Sequence, residues 1–463
     1  MCYNYTSTYQ SNTMSSFETL PLHTPLQTAL KRLNFNTMTP IQAQSLPVIL
    51  KGSDVVAQAS TGSGKTLAFA LGILQNVNPR YFAAQSLVLC PTRELAEQVA
   101  KVIRSCASEI GNIKLLTLCG GVPMKAQRHS LTHGAHIIVG TPGRVLKLLS
   151  MNDLDLKSCS ISVLDEADQM VDMGFIEDIE AIFGFLPSPK QTLLFSATYP
   201  ESIQELSSKL TNNPVFIKTQ ISEKAPAIKE IAYIVNDKTT ALNALIQSHT
   251  ITNAIIFCNT KVVASELCET LNYAGIHALT LHGDMEQFDR NEAIIQFRNG
   301  SAPFLVATDV AGRGIDIAEL DAIVNYDVPQ QLDRYIHRIG RTGRAGMDGT
   351  AITLVSSHQI ESFKALDRHI ELQDLPLGRS SNNAMTLMQT LCIDAGKKDK
   401  LRAGDIVGAL IHEGGLTKEQ IGKIDQQDHL SYVAIERQIA TVTHQKIQKR
   451  PIKGKVFRIW LLD

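Results

Sequence analysis

The chain lacks net charge: 44 Lys and Arg face 45 Asp and Glu, a formal charge of -1 over 463 residues. That balance excludes a chain coated all over in positive charge, but not one with local basic faces. Long apolar runs are also missing. None reaches the roughly 18 residues a membrane-crossing helix needs, so no membrane partner is expected. The N-terminal stretch MCYNYTSTYQSNTMSSF is polar, without the apolar h-region of a secretory signal. No C-x-x-C pair occurs among Cys2, Cys90, Cys106, Cys119, Cys159, Cys258, Cys268 and Cys392. Several of these end apolar runs, such as LVLC at Cys90 and IIFC at Cys258. Buried free thiols in a reducing, cytoplasmic setting are therefore expected, with neither disulfides nor a structural metal. No repeat of about 20 to 50 residues and no low-complexity tract is present, and no obligate protein partner is evident.

What is present points to an α/β chain. Hydrophobic residues make up 44% of it, enough for buried cores, and at roughly 150 residues per domain the length implies about three domains. Residues 54–59, 86–90, 114–119, 136–140, 160–165 and 192–198 read as buried strands, as do 253–258, 277–283, 303–308 and 321–327. Helix-length segments separate them, so each block is expected to be a doubly wound parallel sheet. Ligand loops would follow the carboxyl ends of its strands.

The boundaries expected are a polar extension at 1–16, a first α/β domain at 17–220 and a linker at 221–230. A second α/β domain at 231–374, a linker at 375–385 and a small C-terminal domain at 386–463 complete the chain. From Ser381 to Asp463, 13 Lys and Arg outnumber nine Asp and Glu, a local net charge of +4.

Ala59-Ser60-Thr61-Gly62-Ser63-Gly64-Lys65-Thr66 follows a strand and opens a helical segment. It ends as a phosphate loop does, although Ala59 stands where the strict pattern has glycine. The glycines turn successive N–H groups inward, and the helix N-terminus adds positive potential. Lys65 would meet the β- and γ-phosphates of ATP, and Thr66 would ligate Mg2+. A glycine-rich turn with a solvent-facing lysine is the plainer alternative, disfavoured by the strand before and the helix after. Asp165-Glu166-Ala167-Asp168 ends the apolar run SISVL. Asp165 would hold the metal and Glu166 would activate the attacking water. An acidic helix start is the other reading; a phosphate loop about 100 residues earlier favours catalysis.

These two motifs together resemble a DEAD-box RNA helicase over about residues 17–350. The resemblance implies two tandem RecA-like domains, RNA-stimulated ATP hydrolysis and local unwinding of short duplexes. Phe17, Phe35 and Thr39-Pro40-Ile41-Gln42 resemble the family's Q motif, in which Phe35 would stack on adenine and Gln42 would bond its edge. Thr39-Pro40 also suits an N-cap with proline at N1. Ser196-Ala197-Thr198 resembles the interdomain-coupling motif, working with Asp168, while Thr198 to Glu201 also fits a capping box. After His337, the arginines Arg338, Arg341 and Arg344 follow one another at i, i+3 spacings and, if helical, would share a face. The resemblance makes Arg341 and Arg344 arginine fingers, links His337 to the acidic loop and sets Asp316 on the ribose. Gly312 stands where the family usually has alanine. Half of the hydrolytic apparatus would then lie on each domain, so that RNA bound across both stimulates turnover.

Pro91, Thr92 and Arg93, Gly121 with Gln127, and Thr141, Gly143 and Arg144 resemble the first domain's RNA motifs. Gln287, Arg290, Thr308 and Asp309 resemble those of the second. Hydroxyls, arginines and helix starts are phosphate-binding chemistry, which positions a strand without reading it. Ordinary N-capping would explain Thr92 and Thr141 taken singly.

The C-terminal segment resembles the small RRM-like domain of the bacterial DbpA subfamily, carried by TLCIDAGKKDKLRAGDIVGAL, IGKI and KGK. Around Tyr432 it lacks the aromatic signature of an RNA-stacking strand. Lys397, Lys398, Lys400, Arg402, Lys453, Lys455 and Arg458 are the better RNA-binding candidates there. A solvated basic surface without a fixed partner is the alternative. The subfamily resemblance implies tethering to a 23S rRNA hairpin near the peptidyl-transferase centre, and a role on pre-50S particles. An ATP-gated RNA clamp that does not unwind is a second functional reading, and a DNA helicase a third.

Overall fold

The computed structural model describes residues 16–60, 62–219, 228–248, 251–309, 320–343, 349–375 and 387–462. It forms two compact units, Met1–Ala225 and Pro226–Asp463. The first holds seven parallel strands: β1 (Val55–Gln58), β2 (Ser86–Leu89), β3 (Leu115–Leu118), β4 (Ile137–Gly140), β5 (Ile161–Leu164), β6 (Gln191–Ser196) and β7 (Val215–Lys218). Their order is β3-β4-β2-β5-β6-β1-β7. Side-chain alternation divides each inner strand between two cores. Val55, Ala57, Val88 and Val139 face one layer of helices, while Val56, Leu87, Leu89 and Ile138 face the other. A parallel strand must be reached by a crossover, so helices cover both faces and the strands read as unbroken apolar runs. Arg93–Cys106 shows how such a helix is built: Leu95, Ala96, Val99, Ala100, Ile103 and Cys106 form its buried stripe.

The second unit repeats the plan with β8 (Ile228–Ile234), β9 (Ala254–Cys258), β10 (Ala278–Leu281), β11 (Phe304–Thr308), β12 (Ala322–Asn325), β13 (Gly349–Val355) and β14 (Leu372–Asp374). The order is β10-β11-β9-β12-β13-β8-β14, again wholly parallel. A small antiparallel sheet follows, made of β15 (Met388–Ile393), β16 (Ile421–Gln426), β17 (Ser431–Glu436) and β18 (Ile459–Leu461) in the order β16-β17-β15-β18. Helices Ala403–His412 and Arg437–Ile447 cover one face of it, against Leu391, Ile393, Val433 and Ile435.

Several elements differ from the sequence reading. β8 takes in Ile228–Glu230, the last three residues of the expected 221–230 linker, because Ile228 pairs with Gly349 at the start of β13. β8 was not among the expected strands, and neither were β7, β13, β14 and β16. The run KVFRIWL at 455–461 also reads as a strand, but only Ile459–Leu461 joins the sheet, while Lys455 bridges Ile452. Residues 1–15, most of the first linker, 376–385 of the second linker and residue 386 lie outside the described residues. The seven described cysteines are buried and free. Burial pushes the Cys119 and Cys159 thiols up to about 12. Among the described residues no helix is long and apolar enough to cross a membrane.

Candidate functional site

Because every strand of the first sheet runs the same way, its loops after the strand carboxyl ends share one edge. The strand order sorts them. The phosphate loop follows β1, the acidic loop follows β5, and Ser196-Ala197-Thr198 ends β6; these three strands are neighbours. The candidate strand-binding loops follow β2, β3 and β4, which form the other half of the sheet.

Between β1 and helix Lys65–Asn76 the backbone turns through Gly62 at φ 81° and Gly64 at φ 95°. L side chains are strained there. A Cβ on Gly64 would also overlap the Gln42 amide. Gln42 ties two motifs together: its Oε1 accepts from Thr39 N at 2.9 Å, and its Nε2 donates to Gly64 O at 3.0 Å. One amide N–H and one lone pair remain for an adenine edge. Thr39 is the N-cap of Pro40–Ile49, with proline at N1. Phe35 is 42% exposed, open to stacking. Lys65 is buried and its Nζ donates to Ala59 O at 2.9 Å, while Ser63 Oγ donates to Ser60 O at 2.7 Å. Thr61 lies outside the described residues.

Asp165 is buried, and its Oδ1 has no hydrogen-bond partner. Burial pushes its carboxyl up to about 7; Lys65 pulls it down and the Glu166 charge adds to the rise. A buried carboxylate oxygen left unpaired is costly unless a cation completes it. With the Thr66 hydroxyl on the helix that begins at Lys65, the donors are the hard oxygens that Mg2+ takes. Glu166 holds φ 54° and ψ 53°, left-handed for a non-glycine residue, as N-cap of Ala167–Asp172. Such strain concentrates at working sites. Gln169 Nε2 donates to its Oε2 at 2.5 Å, a positioning contact the motif reading missed; its signal was the i, i+3 spacing.

Asp168 Oδ2 accepts from Ala197 N at 3.1 Å, Thr198 N at 2.9 Å and Thr198 Oγ1 at 3.1 Å. Ser196 Oγ accepts from Asp168 N at 3.3 Å. The acidic loop and the end of β6 are thus one hydrogen-bonded unit. The capping-box reading of Thr198 is corrected: Glu201–Leu210 takes Pro200 as its N-cap, and the Thr198 hydroxyl is committed to Asp168.

On the other half of the edge, Thr92 caps Arg93–Cys106, its Oγ1 accepting from Leu95 N at 3.3 Å. Arg93 Nη1, just inside that helix, is buried without a partner, and Pro91 precedes the cap. Thr141 is the N-cap of Pro142–Ser150 but makes no side-chain capping bond. Gly143 and Arg144 follow in the first turn. Arg144 Nη1 donates to Gln127 Oε1 at 2.7 Å and Val122 O at 2.9 Å. Gln127 Nε2 donates to Cys119 O at 3.0 Å, and Gln127 is buried, so it positions Arg144 beside Gly121 at φ 72°.

In the second unit Gln287 and Arg290 lie one turn apart on Gln287–Arg298, the helix after β10. Thr308 ends β11. The Asp309 carboxylate is gripped by Arg338, Nε to Oδ1 at 2.5 Å and Nη2 to Oδ2 at 2.9 Å, so that side chain is not open to a phosphate. Arg338 also reaches Asn259 Oδ1 and Asp327 O, and it is 1% exposed. The expectation of one helical arginine face is therefore corrected. Leu332–Ile339 ends at Gly340, Arg338 points into the domain core, and Arg341 follows the helix, buried like His337. Asp316 and Arg344 lie outside the described residues.

All seven C-terminal basic candidates are exposed. Lys453 Nζ donates to Lys400 O at 2.7 Å, which joins the loop carrying Lys397, Lys398, Lys400 and Arg402 to the turn carrying Lys453 and Lys455. Lys453 also pairs with Asp405 and Lys398 with Asp428, both at 3.2 Å. The Arg458 guanidinium lies 5.3 Å from the Trp460 ring centre.

Comparison with known proteins accords with this geometry. The DEAD/DEAH box helicase family matches residues 39–206, the helicase conserved C-terminal domain 237–346, and the DbpA RNA binding domain 390–461. The ATP-dependent RNA helicase DbpA of Escherichia coli K12 is 44% identical over 97% of this chain and 100% of its own length. The DEAD-box ATP-dependent RNA helicase CshA of Geobacillus kaustophilus is 40% identical over 77% of this chain and 76% of its own. Among solved structures, S. cerevisiae Dbp5 bound to RNA and ADP BeF3 has a TM-score of 0.71 at 33% identity, covering 78% of this chain and 96% of that one. Mss116p bound to ssRNA and AMP-PNP has a TM-score of 0.70 at 27% identity, covering 78% and 80%.

Proposed function

The chain belongs to the DEAD-box ATP-dependent RNA helicases, in the DbpA subfamily, and from that premise we propose that its C-terminal domain directs ATP-driven unwinding to 23S rRNA. The setting is the pre-50S particle in the cytoplasm. The observation that carries the mechanism is the division of the first sheet's edge, nucleotide loops over β5-β6-β1 and strand loops over β3-β4-β2. A nucleotide and an RNA strand can then sit on one rigid sheet without competing, and a shift in one half reaches the other through the packed strands.

In this reading Phe35 stacks on adenine and Gln42 bonds its edge while holding the phosphate loop through Gly64. The loop from Ala59 to Thr66 cradles the phosphates, and Lys65 leaves Ala59 O for the γ-phosphate. Asp165 and Thr66 hold Mg2+, which neutralises phosphate charge when bound. Glu166, aimed by Gln169, takes a proton from the attacking water. Arg341 and Arg344 of the second domain stabilise charge developing on the γ-phosphate, with Asp316 on the ribose. Asp168 senses the phosphate site and passes its state to Ser196 and Thr198, and His337 answers from the second domain.

Arg93, Arg144, Thr141 and Gly143 in the first domain, with Gln287, Arg290 and Thr308 in the second, hold RNA by its phosphates and 2′-hydroxyls. Gln127 acts through Arg144. Lys397, Lys398, Lys400, Arg402, Lys453, Lys455 and Arg458 bind the tethering hairpin. Duplex supplied next to that hairpin meets the helicase core at raised effective concentration. ATPase rates with a panel of RNAs test the targeting. The 23S hairpin fragment near the peptidyl-transferase centre should stimulate far more strongly than poly-U of equal length; equal stimulation would overturn it.

A further inference from the structure

A lone exposed apolar side chain is ordinary on a protein surface. Phe288 differs by where it stands. It lies in the first turn of helix Gln287–Arg298, between Gln287 and Arg290, the two residues assigned above to the RNA strand. The buried residues of that helix all fall within Ala293–Phe297, in its C-terminal half. Phe288 is 52% exposed and joins none of the apolar cores among the described residues. The turn around it is held firmly. Gln287 Nε2 donates to Asn291 Oδ1 at 3.0 Å, and Lys261, at the start of helix Lys261–Tyr273, pairs with Asp284 just before the turn. Ser265 Oγ and His282 Nε2, 3.2 Å apart, join the same two segments. Since β10, β11 and β9 are neighbours, this corner shares the half of the second sheet's edge that carries Thr308. In the first domain the loops after β2, β3 and β4 expose no large apolar side chain among the described residues. Charge does not explain the turn either. Exposed Glu286 and Asp289 stand in it with Arg290, so electrostatics alone draw a strand there weakly, whereas an aromatic face takes any base. Stacking also selects. A base inside a duplex already has a neighbour on each face, while an unpaired base has a face to offer.

We propose that Phe288 stacks on an unpaired base of the RNA strand, so that the second domain grips single strand in preference to duplex and helps to keep separated strands apart. This rests on the RNA role given above to Gln287 and Arg290. It adds one base contact, indifferent to sequence, to a site otherwise made of phosphate and 2′-hydroxyl contacts.

Binding of a short oligouridylate without the hairpin to the full-length chain, in the presence of AMP-PNP, tests this against an abasic strand of the same length. The wild type should bind the intact strand about tenfold more tightly than the abasic one. Phe288→Ala should lose that advantage, binding both strands within about twofold of each other, and Phe288→Tyr, which keeps the ring, should restore it. Affinity for blunt RNA duplex should be the same in all three chains. Salt separates stacking from charge: Arg290→Ala should flatten the dependence of affinity on salt, whereas Phe288→Ala should leave its slope unchanged. If Arg290→Ala weakens binding while Phe288→Ala still favours the intact strand as the wild type does, the stacking is overturned and the strand site stands. If neither substitution changes binding, the strand site and the stacking fall together. A loss of duplex affinity in Phe288→Ala as large as its loss for single strand would overturn the preference for unpaired RNA.

Discussion

Glu166 joins a left-handed backbone to a carboxylate clamped by Gln169, both arranged for one group in one place. Glu166→Gln keeps the size and loses the base. RNA-stimulated ATP hydrolysis should fall about 100-fold or more, while ATP binding measured by calorimetry persists. Unwinding that survived the change would mean another residue activates the water. Asp165 makes a prediction about stability instead. Its folded-state pKa, about 7, lies above its ordinary 3.8, so between those values the folded chain holds a proton the unfolded chain lacks. Stability from this group therefore falls as pH rises through that window. Without nucleotide or magnesium, the Tm of Asp165→Asn should gain on the wild type between pH of about 4 and about 7; a constant difference would contradict the buried, unpaired carboxylate. Gly64→Ala meets both a positive φ and the Gln42 amide, and strain of roughly 1 to 3 kcal/mol should weaken ATP binding about tenfold or more. At this scale the phosphate loop and acidic motif were legible, because their chemistry depends on residue type and order. The bond from Gln42 to Gly64 was not, because it depends on which loops the fold sets side by side; the Gln169 contact lay within its own i, i+3 spacing and was missed because the motif ends at Asp168.

Elements read well where both faces are buried. β2, β4, β5 and β6 are buried along their whole length around apolar centres and stand out. β7, β14 and β16 lie at sheet edges and are partly exposed, β7 being a three-residue apolar run and the other two broken by polar residues, so their pattern fades into loop. The inner strand β13 was missed although buried, because Gly349, Thr350 and Thr353 break its apolar run. Helix boundaries misled more seriously. Evenly spaced arginines look like one face until Gly340 ends the helix between Arg338 and Arg341, sending the first inward and freeing the second from helical register. Arg338 is accordingly a structural residue. Arg338→Ala would leave Asp309 without its partner in a largely buried setting, and urea unfolding should register a loss of about 3 kcal/mol or more. Loss below 1 kcal/mol would mean that the contact with Asp309 contributes little.

Over the whole chain, two parallel sheets of the same strand plan and a small antiparallel sheet share the work. Neutral overall charge concealed the local charge of +4 over residues 381–463. The domain count was legible from length and from alternating strand and helix segments; the packing of Ile295 with Cys392 and Tyr432 was not, because the three are far apart in sequence and ordinary in type. The central claim is that the second domain completes a reaction centre begun in the first. ATP turnover by Arg341→Ala at saturating RNA tests it most directly. Turnover should drop by about 1,000-fold, as removal of a phosphate-facing arginine does elsewhere, with ATP still bound and the Tm unchanged. Turnover equal to the wild type would show that the first domain hydrolyses ATP without help from the second.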